Sequence, residues 1–122
     1  MLTKALIVGL GGFLGAIARF GISNLSKDWL KDWPLGTLLV NLVGSFLLGM
    51  LVFGTFQNKA WPEAYRLLLA VGFCGSLTTM STFAMDVINL SIQKELLSAL
   101  SYFLLNIIGC LLMIVLARQV FG

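Results

Sequence analysis

The stretch Gly72–Asp86, GFCGSLTTMSTFAMD, decides how this chain is to be read. Five hydroxyl side chains (Ser76, Thr78, Thr79, Ser81, Thr82) lie there with Gly72 and Gly75, inside an otherwise apolar segment. Hydrocarbon offers backbone groups no partners, so irregular backbone at that depth survives only when buried in protein or lining a wet cavity. A membrane-spanning segment interrupted in this way marks an ion or substrate site. A kink rescued by side-chain hydroxyls explains one such residue easily and five poorly.

Outward from this stretch, the composition is that of a membrane protein. The chain has 122 residues, 59% of them hydrophobic and 11% charged, with a mean hydropathy of +1.00. Soluble domains carry about 25% charged residues. Four apolar segments run over about 5–26, 35–56, 66–92 and 96–117. Each is long enough to cross roughly 30 Å of hydrocarbon at about 1.5 Å per residue. The first reads as a lasting span, not a cleaved signal, because Gly11, Gly12 and Gly15 interrupt it and its apolar core is too long. Trp29, Trp33 and Trp61 suit interfacial anchors, and Pro34 and Pro62 stand where new helices begin. The expected fold is an all-α integral membrane protein, one four-helix unit over residues 1–122.

From Pro62 to Ile92 the third segment would measure roughly 46 Å as one helix, longer than the bilayer core. A break at about 75–79 is therefore expected. It would free carbonyls for a hard cation such as Na⁺ and aim N–H and hydroxyl donors at an anion. Segment two sets Thr37, Asn41 and Ser45 on one helical face, and segment four repeats the step with Ser98, Tyr102, Asn106 and Cys110. Asn41 reads equally well as an anion donor and as an interhelical hydrogen bond. Segment four reads first as helix-packing glue and second as a lining of the pathway. Gly11 and Gly15 suit close helix packing, and Arg19 suits a structural or vestibule position.

What the chain lacks narrows the function. No Asp, Glu or Lys occupies the middle of a span, and Asp86 lies beyond the break. Proton-coupled transport ordinarily needs such a group. The chain has no His, and its two cysteines, Cys74 and Cys110, sit within apolar spans, so neither a transition-metal site nor a disulfide is indicated. A net charge of +3, widely dispersed, argues against nucleic acid as a partner. No nucleophile–base pair suggests an enzyme.

Charge placement speaks to assembly. With four crossings, Lys4, Lys59, Arg66 and Arg118 fall on one side and Arg19, Lys27, Lys31 and Lys94 on the other. Lys/Arg bias fixes orientation, so an even division predicts insertion both ways. Four helices leave little room for a private pore, whereas an antiparallel, dual-topology homodimer can build pathways between subunits.

Three motifs carry a family resemblance: GGFLGAIARF (Gly11–Phe20), PLGTLLVNLVGSFLLG (Pro34–Gly49) and GFCGSLTTMSTF (Gly72–Phe83). In this order, over nearly the whole chain, they closely resemble the Fluc fluoride channels, also called CrcB proteins. The resemblance implies a dual-topology homodimer in the bacterial inner membrane that passively exports fluoride through two pores and so relieves its toxicity. It also implies a structural Na⁺ at the dimer centre, held by backbone carbonyls of Gly75 and Thr78. Asn41, Met80 and Phe83 would line the fluoride path, with Ser81, Thr82, Thr37 and Tyr102 as further polar steps. Where the family motif usually reads TTFSTF, this chain has Met80 in place of the first phenylalanine. Methionine keeps bulk and polarizability but lacks the electropositive ring edge that would face an anion. Two alternatives stand beside a passive channel: a small proton-coupled dual-topology transporter, and a membrane assembly protein that transports nothing.

Overall fold

Lipid acts as the outer solvent for the first helix. In α1 (Leu2–Ser26) the buried residues are Gly11, Gly15 and Ser26, while Leu2, Leu6, Leu10, Phe13, Ile17 and Phe20 form an exposed row. Small residues inside and large apolar ones outside reverse the soluble pattern, because close backbone approach drives helix association in lipid. The molecule is described from a computed structural model covering residues 1–30, 33–57 and 61–122. Lys31 and Lys59 of the charge balance lie outside these residues. Four helical spans, Leu2–Ser26, Leu35–Gln57, Glu63–Ile92 and Leu96–Phe121, are long and apolar enough to cross a membrane. The described residues contain no strand.

The third span is composite. It opens with α3 (Glu63–Arg66) immediately after Pro62, continues as a π-helical stretch, Leu67–Cys74, and ends its first half in α4 (Gly75–Leu77). The apolar run LLLAVGFC gives no sequence sign of π geometry, which adds one residue to each hydrogen-bonded ring. The contact with α1 gives this stretch its place. A methyl group on Gly11 would strike the Leu68 carbonyl, one on Gly15 the Phe73 carbonyl, and one on Gly72 would lie 2.6 Å from the Val8 carbonyl. Backbone therefore packs on backbone, and no side chain fits between.

The break is narrower than the expected 75–79 and lies at its far edge. Gly75 is still helical (φ −62°, ψ −33°). Thr78 (φ −83°, ψ 157°) and Thr79 (φ −148°, ψ 121°) are extended. Helix α5 (Met80–Ile92) then resumes, with the Thr79 hydroxyl accepting from the Thr82 N–H at its first turn.

Helices α2 (Leu35–Phe53) and α6 (Leu96–Phe121) pack along each other. Their facing sides carry the buried polar groups: Thr37 and Asn41 on α2, Asn106 on α6. Leu38, Phe83, Leu90, Ala99 and Tyr102 form the apolar cluster that ties α5 to this pair. At one end of the bundle Lys4 meets Glu63 at 3.2 Å, and the Arg118 guanidinium lies over the Phe53 ring at 5.8 Å. The first turn of α1, the end of α2, the start of α3 and the last turn of α6 thus share one end of the bundle, as four crossings require.

Candidate functional site

Two extended residues in mid-span leave backbone groups that need partners, and α2 supplies them. The Thr79 N–H donates to Asn41 Oδ1 at 2.8 Å, and Asn41 Nδ2 donates to the Thr79 carbonyl at 3.3 Å. The same nitrogen donates to Asn106 Oδ1 at 2.9 Å, and Asn106 Nδ2 donates to the Tyr102 carbonyl at 3.0 Å. Asn41 is thus the interhelical bond anticipated as one of its two readings. The donor contact at 3.3 Å is the weaker one and the one a ligand would displace most readily.

These side-chain bonds have a consequence for the carbonyls before the break. In a continuous helix the Thr79 N–H would serve Gly75, and the Thr82 N–H would serve Thr78. Asn41 takes the first and the Thr79 hydroxyl takes the second. The Gly75 and Thr78 carbonyls are released from those roles, while the Ser76 carbonyl is held by Arg19 Nε at 3.0 Å. Uncharged carbonyl oxygens at an unwound helix end suit a hard cation, so the donor set fits a Na⁺ ion.

Two cavities meet at the break. The larger, about 400 Å³, is lined by Asn41, Gly75, Thr78, Met80, Phe83 and Asn106 among others. The smaller, about 270 Å³, is lined by Arg19, Ser23, Thr37 and Thr82 with Ala16 and Phe20. Thr79 lines both. The residues singled out from sequence therefore divide: Asn41, Met80 and Phe83 share the larger cavity with Gly75 and Thr78, and Thr37 and Thr82 share the smaller. Ser81 is exposed, its hydroxyl 3.5 Å from that of Thr79.

Tyr102 lines neither cavity. It is fully buried, its hydroxyl donating to Asp86 Oδ2 at 2.7 Å, with the Trp33 ring edge-on at 5.5 Å. Phe83 is also buried, stacked on Phe103 at 5.8 Å and tilted against Tyr102 at 5.7 Å. Met80 is 69% exposed, so the two residues at the ends of the MSTF run line the same cavity but are unequally buried. Three participants were not in the candidate set: Thr79, Asn106 and Asp86. Thr79 was visible only as one of the hydroxyl run, Asn106 as packing first and pathway lining second at an i+4 step from Tyr102, and Asp86 only as a charge beyond the break.

Four membrane spans, one of them broken between two cavities and clamped by buried amides, define an integral membrane protein of the channel or transporter class. Residues 6–118 match the family model described as CrcB-like protein, Camphor Resistance (CrcB), and the chain belongs to that family. Among curated relatives, one from Methanococcus aeolicus is 42% identical over 115 residues, covering 94% of this chain and 92% of its own length. One from Methanocaldococcus jannaschii is 42% identical over 118 residues, covering 97% and 94%. One from Francisella tularensis subsp. mediasiatica is 37% identical over 115 residues, covering 91% and 88%. Each of these relatives is named fluoride-specific ion channel FluC. The family is one of ion channels, not of enzymes.

Proposed function

We propose that this chain is the subunit of a fluoride-selective channel that lets fluoride leave the cell passively, across the plasma membrane. The observation that carries the proposal is the break itself, set between two cavities, the larger with the Asn41 and Asn106 amides and threonine hydroxyls, the smaller with serine and threonine hydroxyls beside Arg19. Fluoride is small and strongly hydrated, so a pore must replace its water with several donors. Hydrogen bonds to a charged group contribute about 1.5–3 kcal/mol each. A path whose larger cavity is lined by no charged side chain can hold the ion weakly enough to let it go.

The assembly in this proposal is an antiparallel, dual-topology homodimer with two pores. Asn41, Met80 and Phe83 line the path, and Thr37, Ser81, Thr82 and Tyr102 provide polar steps along or beside it. The Gly75 and Thr78 carbonyls would hold a structural Na⁺ where two breaks meet. When bound, such an ion supplies a fixed positive charge and ties together carbonyls that no helix serves. Asn41 keeps the Gly75 carbonyl available by occupying the Thr79 N–H, and the Thr79 hydroxyl does the same for Thr78 by occupying the Thr82 N–H.

The test is fluoride and chloride efflux from liposomes containing the purified protein. Fluoride should leave electrogenically and without a proton gradient, with chloride largely retained. Comparable chloride efflux would remove the channel reading, and dependence on a proton gradient would favour the coupled transporter.

Met80 gives a second expectation in the same assay. Its flexible side chain shares the larger cavity with Phe83 but offers no electropositive ring edge. Met80→Phe should raise fluoride flux several-fold, and Phe83→Ile should cost more in this chain than beside Met80→Phe. Flux through the Met80→Phe protein at or below that of the parent would show that a ring edge at this position does not assist permeation.

A further inference from the structure

We propose that Asn106 is a positioning residue for the break, acting through Asn41 and not on the ion. The hydrogen bonds form a directional chain with a backbone group at each end. At one end is the Tyr102 carbonyl, which can only accept, and Asn106 Nδ2 donates to it at 3.0 Å. At the other is the Thr79 N–H, which can only donate, and Asn41 Oδ1 accepts from it at 2.8 Å. Between them, Asn106 Oδ1 accepts from Asn41 Nδ2 at 2.9 Å. Turning over either amide sets donor against donor or acceptor against acceptor, so each amide has one orientation that satisfies its neighbours.

Burial enforces this polarity. Asn106 is 2% exposed and Asn41 8% exposed, so water cannot readily replace a lost partner, and an unpaired polar group at such a site is costly. Asn106 is therefore the element by which α6 tells the Asn41 amide which way to face. With the amide fixed, the Thr79 N–H stays away from the Gly75 carbonyl and the two extended residues cannot rejoin the helix. A longer or shorter side chain on α6 would remove the shorter of the two bonds made by Asn41 Nδ2 and leave the amide held by Thr79 alone. The Phe83 ring, tilted against Tyr102 and stacked on Phe103, attaches the same part of α6 to the path, so break and ring share one support.

The role is tested with Asn106→Leu, which keeps the size but removes the acceptor, and Asn106→Asp. In its neutral acid form the introduced carboxyl, measured at mildly acidic pH, can donate from its hydroxyl to the Tyr102 carbonyl and accept from Asn41 at its carbonyl oxygen. Two readouts are taken on the full-length protein: residue-resolved amide exchange and fluoride flux in liposomes, the second of which rests on the channel proposal. Asn106→Leu should speed exchange of the Thr79 amide about tenfold, leave the α1 amides at their parent rates, and lower fluoride flux by a similar factor. Asn106→Asp should bring both readouts back toward the parent. Unchanged Thr79 exchange in Asn106→Leu would overturn the role, as would uniform acceleration across α1 and α2, or an Asp variant no better than the Leu variant. If the parent passes no fluoride, the channel reading fails, and the exchange measurement still decides the part played by Asn106.

Discussion

Asn41→Ala should reduce fluoride efflux from liposomes by on the order of a hundredfold while leaving the protein folded and helical. The alanine removes the acceptor of the Thr79 N–H and the donor to the Thr79 carbonyl and to Asn106, all from a buried site. Leaving a buried polar group unpaired costs about 1–3 kcal/mol, and three groups lose a partner at once. The chain has a local way to recover. The freed Thr79 N–H can return to the Gly75 carbonyl and extend α4 through the break. Such repair keeps the fold but takes away the carbonyl proposed to hold Na⁺ and shifts the start of α5, with its hydroxyls, relative to α2. Efflux within threefold of the parent, with the helical content unchanged, would show that neither the amide donors nor the clamp is needed for permeation.

The same residue shows how far the sequence could be read. The spans were legible from hydropathy because lipid length is a strict constraint, and the break was legible because hydroxyls and glycines at mid-depth have few other uses. The i+4 spacing put Thr37, Asn41 and Ser45 on one helical face and left Asn41 between anion donor and interhelical bond; in the fold Asn41 is buried. Its partners could not be read, because pairing across helices depends on which spans are adjacent and at what height. The π-helical stretch was not legible for a related reason. It is held by glycine-mediated backbone contact between Gly11, Gly15 and Gly72 and the facing carbonyls, and glycine in a membrane helix signals closeness without naming the partner. Gly75 illustrates the opposite error of scale. It reads as part of the irregular stretch, yet its own backbone is helical, and what sets it apart is a carbonyl whose usual donor, the Thr79 N–H, is taken by Asn41 on α2.

Loading one side of the bundle with lysine should abolish flux, and loading the other side of a second copy should restore it. Thr3→Lys, Gln57→Lys and Gln119→Lys all fall on exposed residues at the end where Lys4 pairs with Glu63 and Arg118 meets Phe53. Together they turn the even division of basic residues into a strong bias, and bias in short loops and near helix ends is what sets orientation. If the working unit is antiparallel, copies that all insert one way have no partner, and fluoride efflux should fall by on the order of tenfold or more, since an assembly so symmetric has no other route to its interface. Asn24→Lys with Gln93→Lys, at exposed positions toward the opposite end, should do the same in the reverse direction. Neither variant alone should conduct, and the two expressed together should, because each supplies the orientation the other lacks. Rescue of this kind separates an orientation effect from damage to the fold, which no second damaged copy would repair. C-terminal reporter tags on the unmodified chain should be found on both sides of the membrane. Tags on a single side only, or full flux from either charge-loaded variant by itself, would rule out the antiparallel arrangement.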